Sequence, residues 1–174
     1  KIIGNWLRNL DKKCVKNAKL LFVNSNYTRK RIKEIYKKDA LIIYPPKNDS
    51  FRILNLKKRN FIYSHGRVIP DKKFEYIIEA MKYLPENNLV ISGTIEKNYE
   101  NKLRKLIRKL KLEKRVKILG KISEKDLIKL YNEAKVFVLT APNEDFGIVP
   151  IEAMSCGTSV VAWNDGAGPT ETVI

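Results

Sequence analysis

From residue 61 onward the chain alternates between short apolar runs and stretches of helical periodicity. The runs are FIYSH (61–65), NLVISG (88–93), VKILG (116–120), VFVLT (136–140) and SVVAW (159–163). Each has the length of a strand and is apolar nearly throughout, as strands are when both faces of their sheet are covered. The intervening segments predict helices over 73–83, 99–112, 123–134 and from residue 148 or 150 to 155. Such alternation predicts an α/β fold built on a parallel, doubly wound sheet.

Local signals support the boundaries. Ser123 caps a helix with Asp126 three residues on, a variant of the capping box. Pro150 suits a first helical turn, and Gly157 suits a helix end. Upstream, residues 20–24 and 41–44 read as strands around a helix that begins at Asn24, Ser25 or Asn26 and ends near Tyr36. Residues 47–60 read as a polar linker, residues 1–18 as an interdomain segment, and Pro169 as the opening of a further helix. The chain opens on Lys1 and ends on Ile174 in mid-pattern, so it is expected to be a piece of a longer protein.

Thirty-five Lys and Arg against 19 Asp and Glu leave a net charge of +16, which favours anionic partners. The absence of glutamine and the abundance of Lys, Ile and Glu fit a heat-adapted proteome, which makes the charge a weaker functional clue. Two distant cysteines, Cys14 and Cys156, read as reduced thiols in a cytosolic setting. With a single histidine, a His/Cys zinc site is excluded in practice. No apolar run is long enough to span a bilayer.

In a doubly wound sheet, ligands bind outside the carboxyl ends of the strands. Four loops there carry candidate residues. In HGRVIPDKK, Gly66 permits a sharp turn, while Arg67 and Lys72 offer donors to phosphate. Gly93 follows the next strand, and Gly120, Lys121 and Ile122 the one after. In NEDFGIVPIEAM, Gly147 and Pro150 place a turn before a helix, so the free amides near Phe146, Gly147, Ile148 and Val149 make an anion site. Glu144 and Glu152 accept hydrogen bonds from hydroxyl groups. Cations and amides for phosphate, with carboxylates for hydroxyls, are what a nucleotide sugar requires. No Asp-x-Asp pair suggests a metal on the diphosphate, so metal-independent chemistry without a cofactor is expected.

EDFGIVPIEAMSCGTSVVAW, with seven residues between Glu144 and Glu152, resembles the E-x7-E signature of family 4 (group 1) glycosyltransferases of the GT-B type. GRVIPDKK, GKISEKDLIKLYNEAKVFV and GAGPTETV resemble further parts of the same family, over roughly residues 15–174. The resemblance implies a Rossmann-like sheet, residues 1–174 forming one nucleotide-sugar-binding domain, the C-terminal half of the enzyme. It implies that Arg67 and Lys72 hold the diphosphate. Glu144, Asp145 and the backbone of Phe146, Gly147, Ile148 and Val149 hold the sugar and distal phosphate. Glu152 holds the ribose, while Gly66, Gly93, Lys121 and Ile122 border the diphosphate and base. Glu144, Arg67 and Lys72 are the catalytic candidates in a transfer that retains anomeric configuration.

EDFGIVPIEAM and GAGPTETV resemble mannosyltransferase members most, implying GDP-mannose, with UDP-sugars as the alternative. The acceptor, a glycan or glycolipid, is expected to be recognised by an N-terminal domain absent from this chain, as is a C-terminal tail. The expected location is cytoplasmic, at the inner membrane face if the acceptor is lipid-borne. Two residues depart from the pattern. Lys73 stands where the family has glycine, which predicts an altered loop or an added cation. His65 reads as a packed strand-end residue. The fragment alone is expected to bind donor weakly and transfer nothing. The competing reading is a basic α/β module that binds nucleic acid or an anionic membrane through the helix YENKLRKLIRKLKLEKR. No helix-turn-helix, zinc or aromatic RNA-binding signature supports nucleic acid.

Overall fold

The computed structural model describes residues 2–173. A helix, α1 (Ile2–Asn17), occupies the segment read as interdomain or linker. It is followed by β1 (Phe22–Val23), α2 (Asn26–Tyr36) and β2 (Leu41–Ile42). Ser25 caps α2, its hydroxyl accepting from the Thr28 amide at 3.0 Å. β1 and β2 pair in parallel as a separate two-stranded sheet rather than joining the main one.

The main sheet consists of β3 (Phe61–His65), β4 (Asn88–Ser92), β5 (Val116–Ile118), β6 (Val136–Val138) and β7 (Ser159–Val161). All its pairings are parallel, in the order β5-β4-β3-β6-β7, so the doubly wound α/β expectation holds. The connecting helices are α3 (Phe74–Ala80), α4 (Lys97–Lys109), α5 (Glu124–Glu133) and α6 (Ile148–Ser155). Ser123 caps α5 as predicted: its hydroxyl accepts from the Asp126 amide at 3.1 Å and bonds the Asp126 carboxylate at 2.6 Å. Beyond β7, Pro169 opens only a 3-10 turn, Gly168–Glu171, instead of an α-helix.

Strand alternation divides the core. Ile62, Leu89 and Ile91 pack against α3 and α4 on one face, while Phe61, Tyr63 and Phe137 pack against α5 and α6 on the other. On α4, Leu103 and Ile107 are buried, and Leu106, with Leu110 just past the helix end, lies partly buried on the same cluster. At about 1.5–3 kcal/mol per buried large aliphatic side chain, this stripe holds α4 to the sheet. It is therefore not free to enter a lipid surface, and only the charged face is exposed. Among the described residues no helix is long and apolar enough to cross a membrane.

The polar linker is more closely attached than expected. Phe51 is buried edge-on against Tyr131, with ring centroids 5.9 Å apart. Asn132 of α5 accepts from the Leu54 amide at 2.7 Å and donates to the Arg52 carbonyl at 3.1 Å. The segment runs as a strap along α5, held by Asn132 and, at its end, by the Arg59 amide on the Glu133 carbonyl at 2.7 Å, instead of by a sheet partner. Both cysteines are free thiols, Cys14 exposed and Cys156 buried.

Candidate active site

The strand order creates the site. The chain runs from β3 through β4 to β5 at one edge, then returns to place β6 on the other side of β3. The chain leaves β3 and β6 in opposite directions, so the carboxyl end of the sheet between them is its topological switch point, the place where such sheets form a ligand crevice.

One wall is a row of glycine loops. Gly66 N–H donates to the Ser92 carbonyl at 3.1 Å, Val68 N–H to the Thr94 carbonyl at 2.8 Å, and Gly93 N–H to the Gly120 carbonyl at 2.8 Å. Gly93 adopts φ +137°, and a Cβ there would overlap the carbonyl oxygen of Gly66, so the two loops touch backbone to backbone. Arg67 is exposed beside this contact. Beyond Gly120, Lys121 is exposed and Ile122 half-buried, on the same side of the crevice as Gly93.

The loop then makes a 3-10 turn, Pro70–Lys72. Thr140, at the end of the β6 segment, donates its hydroxyl to the Lys72 carbonyl at 2.6 Å, joining the two loops at the base of the crevice. Trp163 Nε1 donates to the Thr140 carbonyl at 2.8 Å and steadies that link. Lys73 has φ 52° and ψ 39°, in the left-handed region. Glycine adopts this backbone freely and an L-residue does not, so the lysine bears the strain itself.

The opposite wall is the turn before α6. Gly147 has φ +81° and ψ 64° and stands as the residue before the helix. Pro150 is buried in the first turn, where its missing amide hydrogen costs no bond. The unpaired amides of the first turn begin at Ile148 and Val149. Phe146 is buried and stacked on Tyr44 at 5.8 Å, and Gly168 N–H donates to the Glu144 carbonyl at 2.9 Å. These contacts fix the turn from behind.

Glu144 and Lys72 meet across the crevice as an ion pair. Glu152 accepts from Tyr131 OH at 3.1 Å. Burial raises its pKa; the Tyr131 bond opposes that shift, and the charge of Glu124 adds to it. The Tyr131 ring packs edge-on against His65, the residue before Gly66, so Glu152 stands beside the glycine loops while Glu144 faces Lys72. His65 Nδ1 lies 2.8 Å from Ser92 Oγ, which lies 2.5 Å from Tyr63 OH. Burial lowers the His65 pKa to about 4, so the ring is neutral near pH 7.

Asp145 is not where the sequence placed it. Its carboxylate binds Arg31 of α2 at 2.9 Å, and its carbonyl accepts the Ser25 hydroxyl at 2.5 Å. Next to Glu144 in an irregular turn, its side chain meets a cation of α2. The structure adds Thr140, Ser92 and Tyr131 to the site's supports. None of these had a local signal, because each acts through a partner at least 21 residues away in sequence.

A doubly wound sheet whose switch point carries cations, first-turn amides and two carboxylates has the donors and acceptors to take phosphate and hydroxyl groups. The profile of the family "Glycosyl transferases group 1" matches residues 46–174, and the chain belongs to this family. Its fold is that of the C-terminal domain of a GT-B glycosyltransferase. The chain is 30 % identical to the GDP-Man:Man(3)GlcNAc(2)-PP-Dol alpha-1,2-mannosyltransferase of Dictyostelium discoideum, covering 90 % of this chain and 36 % of that protein. It is 29 % identical to the O-antigen chain mannosyltransferase RfbU of Salmonella typhimurium, covering 90 % and 45 %. Among solved structures it resembles the sucrose-phosphate synthase of Thermosynechococcus elongatus, with TM-score 0.85, 27 % identity, and coverage of 96 % and 46 %. The chain thus spans less than half the length of each of these relatives.

Proposed function

We propose that the crevice holds a nucleotide sugar and that the full-length protein transfers its hexose, GDP-mannose being favoured over UDP-sugars. The observation that carries this reading is the opposition of Lys72 and Glu144 across the switch point, with Arg67 in the loop of Lys72 and Glu152 in the helix after Glu144. Two cations and the first-turn amides of α6 neutralise a diphosphate, and two carboxylates receive hydroxyls. The preference for mannose rests on relatives that bear that name.

In this reading Arg67, Lys72 and the α6 amides stabilise the leaving nucleoside diphosphate without needing a divalent metal. Glu144 orients the sugar and stabilises charge at its reacting carbon. The anomeric carbon–phosphate oxygen bond breaks, the acceptor hydroxyl bonds to the same face, and its proton passes to the leaving phosphate. Configuration is retained. The acceptor, a glycan or glycolipid, is recognised chiefly by parts of the protein outside this chain, with the membrane surface as the place of a lipid-borne acceptor.

The test is thermal unfolding of the full-length protein with GDP-, UDP- and ADP-sugars, with and without EDTA. Stabilisation by GDP-mannose above the others, unchanged by EDTA, is the expected result. No shift with any sugar nucleotide would refute the reading.

A further inference from the structure

Glu152 has two carboxylate oxygens in different situations. Oε2 accepts the Tyr131 hydroxyl at 3.1 Å. Among the described residues Oε1 accepts no hydrogen bond, and no fully buried side-chain oxygen lacks a partner, so Oε1 is not sealed from solvent. One side of the acid is fixed and the other is available.

The fixed side is held by an unusually constrained donor. Tyr131 is 0 % exposed. Its ring lies 5.4 Å from Tyr63, 5.5 Å from Phe137, 5.9 Å from Phe51 and 6.3 Å from His65, each packed edge to face. Its carbonyl accepts the Thr158 hydroxyl, which ties the end of α5 to the segment after α6. The ring has no room to reorient, so its hydroxyl points in one direction. Burial raises the pKa of the phenol and the Glu152 charge raises it further, so it remains a donor at any ordinary pH. A flexible Glu side chain would otherwise lose rotamer freedom on meeting a ligand, a cost that prior fixing removes.

We infer that Tyr131 is the positioning residue of the nucleotide subsite: its buried phenol pins Oε2 of Glu152 so that Oε1 faces the crevice and accepts the ribose hydroxyls of the donor. This rests on the nucleotide-sugar reading of the crevice. Tyr131 touches no ligand; it acts through Glu152.

The experiment measures binding of GDP and UDP, each beside its 2′,3′-dideoxy analogue, to the full-length protein by calorimetry. The wild type prefers the ribose form of its nucleotide by on the order of tenfold. Tyr131→Phe keeps the ring and its packing but cuts that preference to within about twofold, as does Glu152→Gln. In Tyr131→Phe the donor KM rises while kcat stays within about twofold, because the sugar contacts are untouched. A purely structural role for Tyr131 would weaken both analogues alike and leave the preference intact, and that result overturns the inference. If Tyr131→Phe does not fold, 2,3-difluorotyrosine at this position strengthens donation with nearly the same shape; the preference then changes, and an unchanged one counts against the inference. Failure of the wild type to bind either nucleotide removes the donor reading and this inference with it. Loss of the preference in Glu152→Gln but not in Tyr131→Phe removes the inference alone.

Discussion

Lys72 and Glu144 come from loops after two different strands, yet they form an ion pair across the crevice with only 23 % and 25 % of their side chains exposed. In the absence of ligand each acts as the other's counter-charge. A diphosphate arriving at Lys72 must compete with a carboxylate already there. Glu144→Gln should therefore tighten binding of the free nucleoside diphosphate by a few-fold while lowering sugar transfer on the order of a hundredfold. Lys72→Ala should weaken the diphosphate on the order of tenfold or more. Calorimetry with GDP and UDP measures both; a Glu144→Gln variant that binds the diphosphate more weakly would contradict the competition.

The contact between Gly66 and Gly93 leaves no space for a methyl group. Gly93→Ala should cost at least about 3 kcal/mol, because the obstacle is backbone rather than a side chain that can swing aside. Urea denaturation of the chain should show a lowered midpoint. A loss below about 1 kcal/mol would mean the loops separate easily.

Lys73 is expected to respond in the opposite sense. Its left-handed backbone costs an L-residue about 1–2 kcal/mol, and glycine is free of that cost. Lys73→Gly should raise the denaturation midpoint by the equivalent of up to about 1 kcal/mol with an unchanged slope. No change, or a loss, would indicate that the lysine side chain provides something the backbone argument omits.

His65 should make stability depend on acidity. Its folded pKa of about 4 lies below the 6.5 of an unfolded histidine, so between those values the unfolded chain binds the extra proton. The stability linked to a neutral ring is fully present above pH 6.5 and is lost as pH falls to about 4, in total roughly 3 kcal/mol. Carboxylates add their own slopes, so the measurement is a difference: His65→Asn should show a shallower decline between pH 6.5 and 4 in urea titrations. Parallel curves for the two proteins would place the His65 titration elsewhere.

The five strands of the main sheet were legible because covered strands are apolar on both faces, a property each run shows by itself, as Phe61, Ile62 and Tyr63 do. The two crevice loops were legible through glycines and prolines that restrict backbone locally, Gly147 and Pro150 above all. Features that depend on distant partners were not. The helical state of the α1 segment, read as interdomain or linker, was not legible, and within the helix Trp6, Leu7 and Leu10 remain exposed. The strap over 47–60 looked polar because Phe51 is its one buried large apolar residue, and its other attachments are polar bonds to distant residues: Asn132, Glu133 and Thr158. Asp145 read as a ligand contact because nothing near it in sequence reveals Arg31, 114 residues away. The left-handed backbone of Lys73 could not be read because residue type was visible in the sequence and its dihedral angles were not.

The turn that carries Glu144 is also the seat of α2. Asp145 takes Ser25 and Arg31, Phe146 takes Tyr44, and Glu171, just beyond the turn's backing residue Gly168, accepts the amides of Asn26 and Tyr27 at 3.0 Å each. Linkage between two such attachments is symmetric. Whatever occupant stiffens the stretch from Glu144 to Gly147 must tighten its hold on residues 25–44 by the same free energy, and any force that pulls those residues loose must weaken the occupant in equal measure.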